Sequence, residues 1–326
     1  MTLLSVRGLH VWFDLPNGRE LHAVQDVAFD LDSGERLGLV GESGCGKTTT
    51  ILALMGLLPS SASVAGEVLL DGVNILEQGE ETVRPHRWNE IAMVFQGAMN
   101  ALNPVKSIEQ QIVEPMEHHH VAEGAAASRQ AGELLELVGI PAAAGARFPH
   151  EFSGGMRQRA AIAMALACSP TILLADEPTT ALDVMVQAQI LELLTGLSEE
   201  LRLALLLVTH DLPVVAEICD RAAVMYAGRI VESGPMDELF HSPRHPYTRL
   251  LFAATPDLYG EDPVLSIPGA PPRLDQDITG CPFHPRCDKA FDRCRLERPE
   301  LRRVDAAHEA ACHLNDEVSW RGSRIG

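Results

Sequence analysis

Short apolar segments that end in polar residues recur along the chain and predict the strands of a parallel β-sheet. Residues 37–40, 91–95, 172–175 and 205–208 carry no charged side chain, as expected of strands that are buried on both faces. Residues 48–55, which follow the first of these segments closely, predict a helix. We therefore expect an α/β core.

Other regions of the chain follow different patterns. Residues 3–40 alternate apolar and polar positions around Asn17-Gly18, which predicts antiparallel strands joined by a turn, and residues 66–72 predict a further strand. From about residue 97 to residue 165, Ala-rich segments predict helices. Beyond residue 241, prolines, arginines and cysteines become frequent and apolar periodicity fades, so we expect a separate, irregular C-terminal extension.

The segment after the first buried strand has the pattern G-x-x-x-x-G-K-[ST] of a phosphate-binding loop. It reads Gly41-Glu42-Ser43-Gly44-Cys45-Gly46-Lys47-Thr48. Glycines let backbone N–H groups approach phosphate oxygens, and the start of the following helix adds further donors. Lys47 is predicted to bind the β- and γ-phosphates, and the Thr48 hydroxyl to coordinate Mg²⁺. The alternative is a chance Gly-rich turn before a helix.

Two carboxylates follow the buried segment at 172–175. Asp176 and Glu177 lie where that strand ends, at the edge at which open α/β sheets bind ligands. The first carboxylate is placed to hold Mg²⁺ and the second to orient an attacking water. A solvated strand end with a helix cap is the alternative for this pair alone.

The acidic composition narrows the class of partner. The 326-residue chain has a formal net charge of -19 and a pI of about 5.0, which argues against nucleic acid as the main partner, since duplex binding rests on a basic surface. No segment approaches the roughly 18 apolar residues that span a bilayer, and residues 1–7 lack the order of a signal peptide. We expect a reducing compartment, in which disulfides between the seven cysteines are not favoured.

A Ser-Gly-Gly turn before an Arg- and Ala-rich helix distinguishes this chain from other proteins with a phosphate-binding loop. The segment reads Phe152-Ser153-Gly154-Gly155-Met156-Arg157-Gln158-Arg159. Together with the phosphate loop it resembles the signature motif of ABC-type ATPases, and the resemblance covers roughly residues 3–235. It implies a P-loop NTPase (RecA-like) core at 1–235, with an antiparallel β subdomain and an α-helical subdomain at about 97–165.

The resemblance also implies a role for individual residues. Glu177 is expected to act as the base on water, His210 to bond to the γ-phosphate, and Gln96 to occupy the Q-loop position. Phe13 matches the aromatic residue that stacks on adenine, with Trp12, on the opposite strand face, as the fallback. The Mg²⁺ ligands implied are Thr48, Gln96 and Asp176. The residues expected to contact ATP are Phe13, Gly41, Ser43, Gly44, Cys45, Gly46, Lys47, Thr48, Thr49, Gln96, Ser153, Gly154, Gly155, Asp176 and Asp183.

Partners follow from the same resemblance. Two such ATPase subunits, identical or homologous, meet head to tail, so Ser153 and Gly155 are expected to contact the ATP that the other subunit binds. Two integral membrane permease subunits and an extracytoplasmic solute-binding protein complete an importer, with this chain peripheral on the cytoplasmic face of the cell membrane. Residues 97–100 depart from the acidic residue and proline usual after the Q-loop glutamine, which leaves the choice of permease open.

The segments His245-Pro246-Tyr247, Ile267-Pro268-Gly269 and Gly280-Cys281-Pro282 resemble the tail of oligopeptide/dipeptide-type importer ATPases over about residues 236–315. Four cysteines there, Cys281, Cys287, Cys294 and Cys312, have the spacing C-x5-C-x6-C-x17-C. Spacing alone leaves zinc and a [4Fe–4S] cluster open, and the resemblance implies the cluster. We expect a metal-stapled extension at 236–326, and nucleotide binding that does not depend on it.

The expected function is ATP binding and hydrolysis coupled to uptake of di- or oligopeptides. The same tail occurs in relatives that import nickel or oligosaccharides, so the cargo stays open. A soluble ABC ATPase without a transport role is disfavoured by the single phosphate loop and the net charge of -19. A P-loop kinase or GTPase would not account for Ser153-Gly154-Gly155 or His210.

Overall fold

The computed structural model describes residues 2–16, 18–77, 79–97, 101–254, 267–276 and 278–316. The strands in chain order are β1 (Thr2–Asp14), β2 (Glu20–Asp32), β3 (Arg36–Val40), β4 (Ala62–Leu70), β5 (Val73–Asn74), β6 (Ile91–Val94), β7 (Ile172–Asp176), β8 (Ala204–Thr209), β9 (Arg221–Tyr226), β10 (Arg229–Pro235), β11 (Arg302–Arg303) and β12 (Glu309–Ala310). The α-helices are α1 (Lys47–Leu54), α2 (Glu80–Val83), α3 (Ile108–His118), α4 (Gly124–Leu137), α5 (Gly154–Ala165), α6 (Val184–Leu201), α7 (Leu212–Ile218), α8 (Met236–His241), α9 (Pro246–Ala253) and α10 (Asp292–Leu296).

The chain divides into two compact units. The first combines residues 1–3, 31–36 and 75–208, and the second combines residues 4–30, 37–74 and 209–326. The described part of the chain contains no helix with the length and hydropathy needed to cross a bilayer.

Parallel strands and a set of helices build the first unit. In β6, β7 and β8 every side chain is buried, and Ile172 of β7 lies between Ile91 of β6 and Ala204 of β8. The predicted buried parallel strands are therefore confirmed here. Helices α3, α4 and α5 confirm the helical prediction for the described part of residues 97–165. A reciprocal pair of side-chain bonds between Ser107 and Gln110 fixes the start of α3.

The second unit holds both antiparallel and parallel strands. β1 lies between β2 and β4, and β4 pairs antiparallel with β1 and β5. The prediction of antiparallel strands over residues 3–40 was wrong for the last part of this range, because β3 pairs parallel with β9, with Leu37 opposite Arg221. β3 coincides with the apolar segment at residues 37–40, which predicted a buried parallel strand. The predicted turn includes Asn17, which lies outside the described residues.

The C-terminal residues add a short hairpin to the edge of β10. β10 pairs antiparallel with β9 on one side and with β12 on the other, where Glu232 lies opposite Ala310 and Ser233 opposite Glu309. β11 then pairs with β12. The described residues of the extension otherwise form short helices and turns, as its composition predicts.

Candidate nucleotide-binding site

The phosphate loop connects β3 to α1, as the sequence predicts. Gly46 precedes the first residue of α1 with φ +109°, in the region that side chains with a Cβ rarely adopt. A Cβ at this position would lie 2.6 Å from the Ala23 carbonyl oxygen and 2.8 Å from Met225 Cε. The turn into α1 therefore requires glycine for both its backbone conformation and its close packing.

Lys47 is buried and bends back over the loop. Lys47 is 6% exposed, and its Nζ donates to the carbonyl oxygens of Gly41 at 2.7 Å and Glu42 at 3.1 Å. Thr48 is exposed and Thr49 half-buried in the first turn of α1. The ammonium is thus held by two carbonyl oxygens of the loop, and a phosphate group would supply stronger acceptors than these oxygens.

Residues of the C-terminal extension hold the same loop, which the sequence did not predict. The Arg286 guanidinium donates to both Glu42 carboxylate oxygens, at 2.6 and 2.9 Å. The Glu42 N–H donates to the Tyr247 hydroxyl at 2.9 Å. Arg286 and Glu42 are 244 positions apart, and no local pattern links them. The one signal in the sequence is that Arg286 lies next to Cys287, in the segment that resembles the importer tail.

Gln96 and Glu177, two of the predicted catalytic residues, are brought together in the first unit. Gln96 Nε2 donates to Glu177 Oε2 at 2.6 Å, and Thr180 Oγ1 donates to the same oxygen at 3.0 Å. Asp176, the last residue of β7, is 1% exposed, and Glu177 follows it with a left-handed φ of +43°. The Glu177 N–H donates to the Val208 carbonyl at 2.8 Å, which fixes this bend against β8.

The signature residues lie at the start of α5, also in the first unit. The Ser153 side chain caps that helix by accepting from the Met156 N–H at 3.3 Å, and Ser153 is exposed. Gly155 packs so closely against α6 that a Cβ would lie 2.6 Å from Val186 Cγ1. Asp183 caps α6 by accepting from the Val186 N–H at 3.0 Å, a local role that the sequence did not predict.

Phe13 and His210 lie in the second unit. Phe13 is half-exposed near the end of β1 and opposite Ala62 of β4. Trp12 lies on the other strand face, where its ring stacks on His22 at 4.7 Å and on His10 at 5.3 Å between centroids. The expected opposition of Trp12 and Phe13 is therefore confirmed. His210 is exposed directly after β8.

The four cysteines of the extension line one common cavity. Burial raises the pKa of the Cys281 thiol to about 11 and that of Cys312 to about 12. Burial also raises the pKa of Cys287. Each thiol would have to lose its proton to bind a metal, so the cation itself must supply the stabilising charge. The remaining cysteines, Cys45, Cys168 and Cys219, are buried elsewhere in the chain.

Comparison with known proteins identifies the family. The model of the ABC transporter family matches residues 24–180, and that of the oligopeptide/dipeptide transporter C-terminal region matches residues 231–294. A probable peptide ABC transporter ATP-binding protein of Sinorhizobium fredii is 47% identical over 324 residues, covering 97% of this chain and 96% of that protein. The chain belongs to the ABC transporter family.

Other members of this family agree in sequence and in fold. The oligopeptide transport ATP-binding protein OppD of Escherichia coli is 46% identical, covering 91% of this chain and 89% of that protein. The dimeric post-hydrolysis structure of the ATP-binding cassette MJ0796 with ADP and Pi matches with a TM-score of 0.64 and 26% identity, over 72% of this chain and 98% of that chain. The ABC ATPase fold and the ATPase activity expected from the sequence are confirmed; the metal-stapled extension stays a prediction.

Proposed function

We propose that this chain is the ATP-binding and ATP-hydrolysing subunit of an ABC importer for di- or oligopeptides. The observation that carries the proposal is the match of one chain to both the ABC transporter model and the oligopeptide/dipeptide transporter C-terminal region. The names of its relatives, including OppD of Escherichia coli, support peptides as the cargo. We further propose that residues 1–235 form the nucleotide-binding domain and residues 236–326 the extension.

In this proposal, ATP is held by the loop at residues 41–49 and by residues at the carboxyl end of β7. Lys47 exchanges its bonds to the Gly41 and Glu42 carbonyls for bonds to phosphate oxygens. Thr48, Gln96 and Asp176 are the proposed Mg²⁺ ligands, and a bound Mg²⁺ neutralises charge that develops on the phosphates. Phe13 provides the proposed stacking surface for the adenine.

Glu177 is the proposed base for the water that attacks the γ-phosphate. The bonds from Gln96 and Thr180 end on the same carboxylate oxygen and fix the plane of the carboxylate. The ionised carboxylate is the form that accepts a proton from water. The proposed role of His210 is to bond to the γ-phosphate and hold the site closed.

The test of this assignment is Glu177→Gln. We expect ATP binding to persist and hydrolysis to fall by about 10²–10⁴-fold, because the amide cannot take a proton from water. ATP binding by titration and phosphate release are measured on the same preparation. Glu192→Gln, at an exposed position of α6, is the matched control and should leave both unchanged. Phosphate release at the wild-type rate in Glu177→Gln would remove Glu177 from the mechanism.

A second ATPase subunit is proposed to complete each site. Ser153 is exposed, and Val184 and Met185, which follow Asp183, are 78% and 72% exposed. Such apolar side chains support a contact that covers this surface. We propose that Ser153 and Gly155 contact the ATP that this partner binds; the dimeric form of the similar cassette MJ0796 supports a pair of subunits.

Membrane partners are proposed for the helical part of the first unit. Val105 is 79% exposed there, and Phe95, which directly follows β6, is also exposed. A pair of permease subunits would cover them, and an extracytoplasmic solute-binding protein would deliver the peptide. The chain itself would then be peripheral, at the cytoplasmic face of the cell membrane. Residues 98–100 of the segment expected to set the choice of permease lie outside the described residues.

The cysteines of the extension are proposed to hold a [4Fe–4S] cluster. Zinc with four thiolates needs sulfur atoms about 3.8 Å apart, given Zn–S bonds of about 2.3 Å in a tetrahedron. Among the described residues, the only group of three or more potential ligand atoms within 4.8 Å of one another comes from Glu238, Asp305 and His308. The four thiols line one cavity, which supports a metal site shared among them, and the match of this tail to the oligopeptide/dipeptide transporter C-terminal region supports the proposed four-iron cluster there.

A further inference from the structure

The contact between the extension and the phosphate loop has a functional consequence. We propose that Arg286 is a positioning residue of the nucleotide site, which acts through Glu42 to hold the phosphate loop ready for ATP. This inference rests on the proposed role of residues 41–48 as the phosphate loop. It assigns to the extension a part in ATP binding, beside any metal that it carries.

Arg286 is built into its position by several contacts. Its side chain is 5% exposed, and besides Glu42 it donates to the Pro268 carbonyl at 2.8 Å and to the Tyr226 hydroxyl at 3.3 Å. The guanidinium also lies 5.9 Å from the centre of the Phe283 ring. A planar cation with this many fixed contacts is pre-organised to bind a carboxylate with two parallel bonds.

Glu42 is held by all three of its polar groups. Its N–H donates to Tyr247, its carbonyl accepts from Lys47, and its carboxylate accepts from Arg286. Tyr247 and Arg286 both belong to the extension, so this part of the chain fixes the second residue of the phosphate loop. Because Lys47 bonds to the same residue, the position of Glu42 also bears on the ammonium that binds phosphate.

The charge of Glu42 gives Arg286 a second effect. A carboxylate in a loop that must accept a polyanion repels it, and the repulsion is strong at short range in a partly buried site. The side chain of Glu42 is 23% exposed, so water screens its carboxylate only in part. Arg286 both neutralises this carboxylate and fixes it in one orientation. Without Arg286, the loop carries an uncompensated negative charge.

Arg286 also links the loop to the cysteines. It directly precedes Cys287, and its N–H donates to the Phe283 carbonyl at 3.0 Å in the short helical turn between Cys281 and Cys287. A change in the geometry of this turn would move the guanidinium. The contact therefore argues against the expectation that ATP binding does not depend on the extension.

The experiment measures the affinity of the full-length chain for MgATP, by displacement of a fluorescent ATP analogue. Arg286→Ala should bind MgATP about tenfold more weakly, the change that corresponds to one lost charge-assisted contact. The double variant Arg286→Ala/Glu42→Gln should bind MgATP more tightly than Arg286→Ala, because it removes the uncompensated carboxylate, but more weakly than the wild type, because the loop is no longer held. Arg286→Lys keeps the charge without the paired bonds and should lose roughly threefold.

Two controls make the outcome decisive. Arg249→Ala breaks an ion pair with Asp288 in the same extension, both of whose side chains are about half exposed, and should leave the affinity unchanged. Lys47→Ala should abolish MgATP binding, and normal binding by that variant would refute the loop assignment itself. Melting temperatures check that each variant is folded. If Arg286→Ala does not fold, the MgATP affinity of Arg286→Lys is compared with that of Arg249→Lys instead. Wild-type affinity in a folded Arg286 variant, or no recovery in the double variant, would overturn the proposal.

Discussion

Gly46→Ala gives a direct test of the phosphate-loop geometry, because the structure predicts its cost from two separate causes. The backbone at this position has φ +109°, a strained conformation for alanine that costs about 1–3 kcal/mol. The added Cβ would also lie 2.6 Å from the Ala23 carbonyl oxygen, and relieving such an overlap costs about 1–3 kcal/mol more. The sum is about 2–6 kcal/mol, against a total stability of about 5–15 kcal/mol for a domain.

Gly44→Ala is the matched control for this variant. Gly44 lies in the same loop with φ +79°, and among the described residues no atom beyond its chain neighbours lies within 4 Å of the place a Cβ would take. Only the backbone cost of about 1–2 kcal/mol therefore applies. Urea unfolding without nucleotide compares the two midpoints with that of the wild type. Gly46→Ala should unfold at a clearly lower urea concentration than Gly44→Ala. Equal midpoints would show that the close approach to Ala23 does not constrain the loop.

The remaining predictions concern the partner subunit and the cysteines. Ser153→Arg should retain ATP binding and lose hydrolysis. Mixing it with Lys47→Ala should restore partial activity, because a dimer with one subunit of each variant keeps one of its two composite sites intact. No recovery of hydrolysis at any mixing ratio would count against sites shared between subunits. Protein purified without oxygen should be brown and contain about four irons per chain, and Cys287→Ser should lose the iron. A colourless protein with one zinc per chain would rule out the cluster.

Motifs that combine special residues with a fixed spacing could be predicted from the sequence. Gly46 and Lys47 follow an apolar strand, and Glu177 follows another, so their positions at strand ends were determined by local pattern. The family resemblance implied a role for Gln96 and for Glu177, but the 2.6 Å bond between them was not predicted, because residues 81 positions apart share no local pattern.

Contacts between distant segments could not be predicted in this way. Alternation over residues 3–40 suggested antiparallel strands throughout, yet the parallel pairing of β3 depends on β9, nearly the whole nucleotide domain away in sequence. The bond between Arg286 and Glu42 likewise has no periodicity or motif that marks it. Such contacts depend on tertiary packing, which short-range preferences for strand or helix do not contain.

The short hairpin of β11 and β12 has a consequence for the solubility of the nucleotide domain. β12 satisfies backbone groups of β10 at Glu232 and Ser233, and β11 ends the sheet with the exposed side chains of Arg302 and Arg303. A strand edge left open is a template for pairing with other chains, and short, charged edge strands prevent it. A chain cut at residue 235 would expose the edge of β10, so we expect the nucleotide-binding domain to be less soluble without the extension.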